Sequence, residues 1–287
     1  MSTLRLPDFI IIGAMKSGTS SLYQWLAEQP EISLPEIKEP HFFSRDEVWA
    51  RGIEWYSSLF CDTPGQLVGE ASTSYTRPEN CEDAATRLRV TVADARLIYV
   101  VRHPIERMRS QYRHALWRGA ERRSLLEALA DPANPYVRRS LYFRCLDPYL
   151  RAFPREQICV VRLEDLVSEE APGWAAVLRH IGIPWRPVPR SAHNVSSEKR
   201  HFSRMMRWIW TSPLRSRIAQ VPRPIRRFVG PLLLHEGPRY QARLEGSKVP
   251  IPTELVAPIW RDVERLEDWL GVGDPLWERA TDPSTTH

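Results

Sequence analysis

The sequence predicts an α/β domain of three layers, with a central parallel sheet flanked by helices. Three observations carry that expectation. Short apolar runs, Phe9–Ile12 and Arg96–Val101 above all, have the length and near-continuous hydrophobicity of strands buried on both faces. The segments between them show the helical period and are long enough for crossover connections. Of the 287 residues, 43% are hydrophobic, ample for one large core, so residues 1–287 are expected to form a single domain with insertions.

Taken in order, Phe9–Ile12 is the first strand and turns at Gly13 and Gly18 into a helix over Ser20–Glu28. Leu67–Gly69 is a short strand and Arg96–Val101 a continuous one, followed by a helix from Pro104 to Trp117. A helix over Ser140–Phe153 precedes the strand Gln157–Arg162 and a helix over Trp174–Ile181. Residues 1–183 form the core of this plan. Between 184 and 250 prolines and arginines multiply, and Lys199 to His235 contains no acidic residue, which reads as a basic loop and lid region. Residues 251–287 close the chain with an amphipathic helix over Glu254–Leu270 and a tail.

Composition narrows the function. No run approaches the roughly 18 apolar residues of a membrane span, and no leader pattern opens the chain, so a cytoplasmic location is expected. Cys61, Cys81, Cys145 and Cys159 have neither C-x-x-C nor metal-ligand spacing and read as reduced structural thiols. A net charge of +5 and a pI near 9.2 suit an anionic ligand, and suit nucleic acid or lipid surfaces equally. Oligomeric state leaves no mark in the sequence.

The most specific stretch is Asp8–Leu22. A buried strand runs through two glycines into a helix start, the architecture of a phosphate cradle: free N–H groups, close backbone approach and one lysine. This makes the domain P-loop-like. In the G-x-x-x-x-G-K-[ST] pattern, however, Thr19 stands where the lysine belongs, and the lysine is Lys16, before the second glycine. A second anion site follows the strand Arg96–Val101. Arg102 ends the strand, Pro104 opens a helix and Ser110 lies two turns on, a pair able to grip a phosphate through charge-assisted bonds. The bland alternative pairs Arg102 with a carboxylate and leaves Ser110 in solvent. Two other classes compete: a P-loop nucleotide kinase, which wants a lysine after Gly18, and a non-catalytic anion- or RNA-binding protein, suggested by the basic stretch. No RNA-recognition signature is present, so nucleic acid is not the expected partner. The tryptophans at 208 and 210 amid arginines leave peripheral membrane contact open.

With both sites in view, the chain resembles the sulfotransferases that use 3′-phosphoadenosine 5′-phosphosulfate (PAPS), most strongly the branch containing heparan sulfate sulfotransferases and bacterial relatives. The motifs are the Lys16–Ser21 loop, Arg102 with Ser110, and Lys38-Glu-Pro-His-Phe-Phe43, similar to the branch's E-x-H-F-F block. The resemblance implies sulfuryl transfer from PAPS to a small-molecule or glycan hydroxyl, with adenosine 3′,5′-bisphosphate as product and no metal. It implies Lys16 on the leaving group, with Ser17, Gly18, Thr19, Ser20 and Ser21 around the 5′-phosphosulfate. Arg102 and Ser110, and less firmly Lys199 and Arg200, take the 3′-phosphate. Glu39 matches the catalytic glutamate; His41 competes as base, or orients Glu39, or bonds in the core. Pro40 is expected to keep Glu39 extended. Gly69–Tyr75 resembles the substrate-side segment, making Glu70 and Ser72 acceptor contacts beside Glu39 and His41. Ala71 replaces a lysine often found there, which argues against a heparan-like polymer. Tyr142 and Arg144 border the nucleotide in this reading.

Overall fold

The computed structural model describes residues 4–61, 64–188 and 243–279. Five strands form one sheet in the order β2-β3-β1-β4-β5, and every pairing is parallel. These are β1 (Phe9–Gly13), β2 (Ile32–Ser33), β3 (Leu67–Ala71), β4 (Arg96–Val101) and β5 (Ile158–Arg162). β1 lies at the centre, which is why all five of its residues are buried.

Alternation along the strands divides the core in two. Phe9, Ile11, Ile98 and Val100 face one layer, where they meet Leu22, Trp25 and Leu26 of α1 (Thr19–Ala27) and Trp174, Val177 and Leu178 of α10 (Pro172–Ile181). Ile10, Ile12, Leu97, Tyr99 and Val101 face the other. That layer holds α4 (Cys81–Thr91), α5 (Pro104–Arg118), α8 (Tyr142–Ala152) and the C-terminal helix α11 (Thr253–Leu270). Short helices complete the chain order: α2 (Asp46–Trp49), α3 (Gly52–Ser57), α6 (Leu125–Ala130), α7 (Pro135–Arg138) and α9 (Leu163–Val167).

The expected strands are present with small shifts. The third strand runs two residues further, to Ala71, and the fifth begins at Ile158 because Arg155–Gln157 forms a 3-10 turn. α4 was not anticipated, although Cys81, Ala84, Ala85 and Leu88 make a helical stripe; three of the four are small, which weakens the apolar signal. The expectation of four reduced structural thiols needs correction at Cys61. All are free, but Cys61 is exposed, and Cys159 is half-buried because β5 is an edge strand.

α11 is tied to the sheet layer by a cap across helices. No side chain caps α8 locally, and Asp262 of α11 accepts hydrogen bonds from the N–H groups of Phe143 (2.8 Å) and Arg144 (2.9 Å). Burial pushes this carboxyl up to about 6 despite those bonds. With the folded value above the unfolded one, the folded state binds the extra proton, so Asp262 favours folding at low pH and loses that contribution as pH rises through about 6. Lowering pH from 7 to 5 is therefore expected to raise the urea midpoint of wild type relative to Asp262→Asn; equal shifts in both would contradict the assignment.

Candidate active site at the strand ends

β1 lies between β3 and β4 in parallel register, so the loops leaving all three strands share one rim of the sheet. The loop after β1 is the cradle. Lys16 has φ 71° and Gly18, at the N-cap of α1, has φ 86°. No side chain caps α1, so its first N–H groups remain for a ligand. Gly18 is required twice over: its φ is left-handed, and a Cβ there would stand 2.4 Å from Leu163 Cδ1. Ser17 is fully buried, and its hydroxyl lies beside that of Tyr142 with no partner at ordinary geometry. The loop is braced from below. Arg107 of α5, itself fully buried, donates to Met15 O (3.4 Å), Gln111 Oε1 (2.9 Å), Ser140 Oγ (2.9 Å) and Tyr136 O (2.7 Å).

The loop after β3 holds the Lys38–Phe43 block through four consecutive residues. Ala71 O accepts from Glu39 N (3.0 Å), and Ser72 Oγ accepts from His41 N (3.1 Å). Thr73 Oγ1 donates to both Glu39 carboxylate oxygens (3.2 and 3.3 Å), and Ser74 Oγ is hydrogen-bonded to His41 Nδ1 (2.7 Å). The block is not extended as expected. Glu39 and His41 have φ 60° and 59°, a left-handed geometry costing ~1–3 kcal/mol per residue. The four tertiary bonds override the preference Pro40 imposes. The two side chains still meet, with His41 Nε2 3.7 Å from Glu39 Oε2. Burial, then the Arg45 guanidinium, hold the His41 imidazole below its ordinary value.

Lys38 joins the two loops. Its Nζ donates to Ser20 Oγ of α1 (3.0 Å) and to Glu39 Oε1 (3.3 Å). Glu70 and Ser72 lie under this surface rather than on it, both 0% exposed. The Glu70 carboxylate accepts from Tyr75 Oη (2.6 Å), Tyr56 Oη (2.9 Å) and Ser72 Oγ (3.0 Å), and burial pushes it up to about 7.

After β4, the half-buried Arg102 side chain makes, among the described residues, only a long ion-pair contact to Glu106 (3.8 Å), and Ser110 is buried on α5. Tyr142 fixes the Arg102 backbone: its hydroxyl donates to Arg102 O (2.7 Å) and accepts from Arg102 N (3.3 Å). Arg144 donates its backbone N–H to Asp262. Arg162, which ends β5 at the same rim, is spent on Asp165 (2.6 and 2.7 Å) and the Leu276 carbonyl. Lys199 and Arg200 lie outside the described residues. Sequence reasoning missed Lys38, Thr73 and Arg107. Lys38 sat inside the quoted motif, whereas Arg107 left no signal in a helix rich in arginine. The uncapped helix start, left-handed Gly18 and unpartnered Ser17 hydroxyl fit a 5′-phosphosulfate.

A sulfotransferase-domain model matches residues 6–208, and the chain belongs to the PAPS-dependent sulfotransferase family. It is similar to mouse (Mus musculus) heparan sulfate glucosamine 3-O-sulfotransferase 5, 32% identical over 195 residues that cover 63% of this chain and 55% of that protein. Human (Homo sapiens) heparan sulfate glucosamine 3-O-sulfotransferase 6 is 36% identical over 178 residues, 58% of this chain and 49% of that one. The chain thus spans about half the length of these curated relatives. The crystal structure of a sulfotransferase from Alicyclobacillus acidocaldarius shares the fold, with a TM-score of 0.64 at 24% identity over 96% of this chain and 100% of that chain.

Gly18→Ala is expected to weaken binding of adenosine 3′,5′-bisphosphate by about tenfold or more, since the left-handed strain alone costs ~1–3 kcal/mol. Calorimetric titration checks this; unchanged affinity would remove the loop from the site.

Proposed function

We propose that this protein transfers the sulfuryl group of PAPS to a hydroxyl of a carbohydrate, glycolipid or secondary metabolite by in-line displacement, with Glu39 as base and Lys16 stabilising the leaving group. The observation that carries the reading is the Lys38 bridge, which sets the Glu39 carboxylate one side chain away from the first turn of the cradle helix. PAPS supplies the activated sulfuryl group and a bisphosphate leaving group. This chain supplies position and charge, the main requirements of such a displacement.

Lys16 and the first N–H groups of α1 stabilise negative charge at the 5′ end. Arg102 and Ser110 hold the 3′-phosphate, with Tyr142 keeping the arginine backbone in place. Glu39 takes the acceptor proton while Thr73 and Lys38 fix both its oxygens. His41, kept neutral and bonded to Ser74, orients Glu39 rather than replacing it. No residue in this scheme calls for a metal. Among the described residues no helix is long and apolar enough to cross a membrane. The heparan sulfate 3-O-sulfotransferases among the mammalian relatives favour a sugar hydroxyl, and Ala71 in place of a lysine favours a small acceptor over a heparan-like polymer.

Lys16→Ala is expected to lower turnover of saturating PAPS by two or more orders of magnitude, as for loss of one preorganised donor, with folding kept. Wild-type turnover would cancel its role. Glu39→Gln is expected to abolish transfer to hydroxyl acceptors while leaving affinity for adenosine 3′,5′-bisphosphate intact. An active Glu39→Gln beside an inactive His41→Ala would reverse the assignment of the base.

A further inference from the structure

The Glu70 carboxylate is buried with three neutral donors and, among the described residues, no cation within ion-pair distance. Such a group is costly to bury, and packing alone is served better by an apolar or amide side chain. What a carboxylate alone provides is acceptor-only character. When Glu70 is ionised both oxygens accept, and the Ser72 hydroxyl then aims its proton at Glu70 Oε2 and turns a lone pair to the His41 N–H, 3.1 Å away.

The donors to Glu70 are held in turn by the residues that follow His41. Phe42 stacks on Tyr56, with ring centroids 4.3 Å apart and planes 7° from parallel, and Phe43 meets the Tyr75 ring edge-on at 5.6 Å. The circuit closes: Glu70 to Ser72, Ser72 to His41, His41 to the phenylalanine pair, and the pair back through two tyrosines to Glu70. The left-handed Glu39–His41 turn needs such a circuit, because strained backbone persists only where its surroundings over-determine it.

We propose that Glu70 is a positioning residue, which through the direction it imposes on the Ser72 hydroxyl fixes the strained turn that presents Glu39 to the acceptor. This rests on Glu39 as base. It assigns Glu70 no contact with substrate.

The test uses the full chain with Glu70→Gln, Ser72→Ala and Ser72→Thr, of which Ser72→Ala leaves the tyrosine bonds to Glu70 intact if Glu70→Gln fails to fold. Three quantities are measured: release of adenosine 3′,5′-bisphosphate from PAPS with 4-nitrophenol or water as acceptor, affinity for adenosine 3′,5′-bisphosphate by calorimetry, and the His41 ring titration by NMR. Glu70→Gln and Ser72→Ala are expected to lower kcat on the order of a hundredfold, as for a misplacement of about 1 Å, with nucleotide affinity unchanged. The His41 titration is expected to move up toward its ordinary value as the turn opens to water, since burial is what holds it down. Removing a negative charge would shift it the other way, so a rise separates loss of position from loss of charge. Ser72→Thr keeps the hydroxyl and is expected to retain wild-type values. An unmoved His41 titration in Ser72→Ala, or a Ser72→Thr as impaired as Ser72→Ala, overturns the inference. If Glu39→Gln proves active the base assignment falls, and the His41 titration still decides whether Glu70 holds the turn.

Discussion

A guanidinium buried without a carboxylate holds the site together. Arg107 is 0% exposed and spends its donors on two main-chain carbonyls, a glutamine and a serine. Hydrogen bonds to a charged group are worth ~1.5–3 kcal/mol each, and each partner would be costly to leave unpaired in the core. The planar fork suits this task in a way an ammonium does not. Its reach joins α5, the 136–140 turn and Met15, the residue before Lys16. The loop that carries Lys16 is thus tied to α5 by a residue that is itself fully buried.

The rim beside the cradle is built on the opposite principle. There the backbone is strained and the bonds are many and distant in sequence. Residues 71–74 each hold the Glu39–His41 turn by a different group: a carbonyl, two serine hydroxyls and a threonine hydroxyl. A turn held by one bond would relax to the conformation Pro40 favours. Held by four residues, it keeps the Glu39 carboxylate beside Lys38, which in turn donates to Ser20 of α1. The edge of the sheet shows the reverse economy, where Arg162 ends β5 at the same rim but is neutralised by Asp165 and takes no part.

Much of this was legible in the chain itself. The strands Phe9–Ile12 and Arg96–Val101 are so apolar and so short that burial on both faces was the only economical reading, and they stand as expected. The loop between β1 and α1 was legible because it depends on local spacing along one strand-turn-helix unit. The Lys38–Phe43 block was visible as a motif, but its geometry was not, since local sterics argue for extended backbone.

By itself, then, the sequence determined the parallel α/β plan and the sulfotransferase family. Those follow from periodicity and from spacings of a few residues. Only the tertiary structure decided which residues meet one another. The left-handed turn at Glu39, the bridge from Lys38 to Ser20, the burial of Glu70 and the loss of Arg162 to Asp165 all depend on which strands lie side by side. Strand order joins β1 to β3 across almost 60 residues of chain, Phe9 pairing with Gly69, and no local preference encodes that contact.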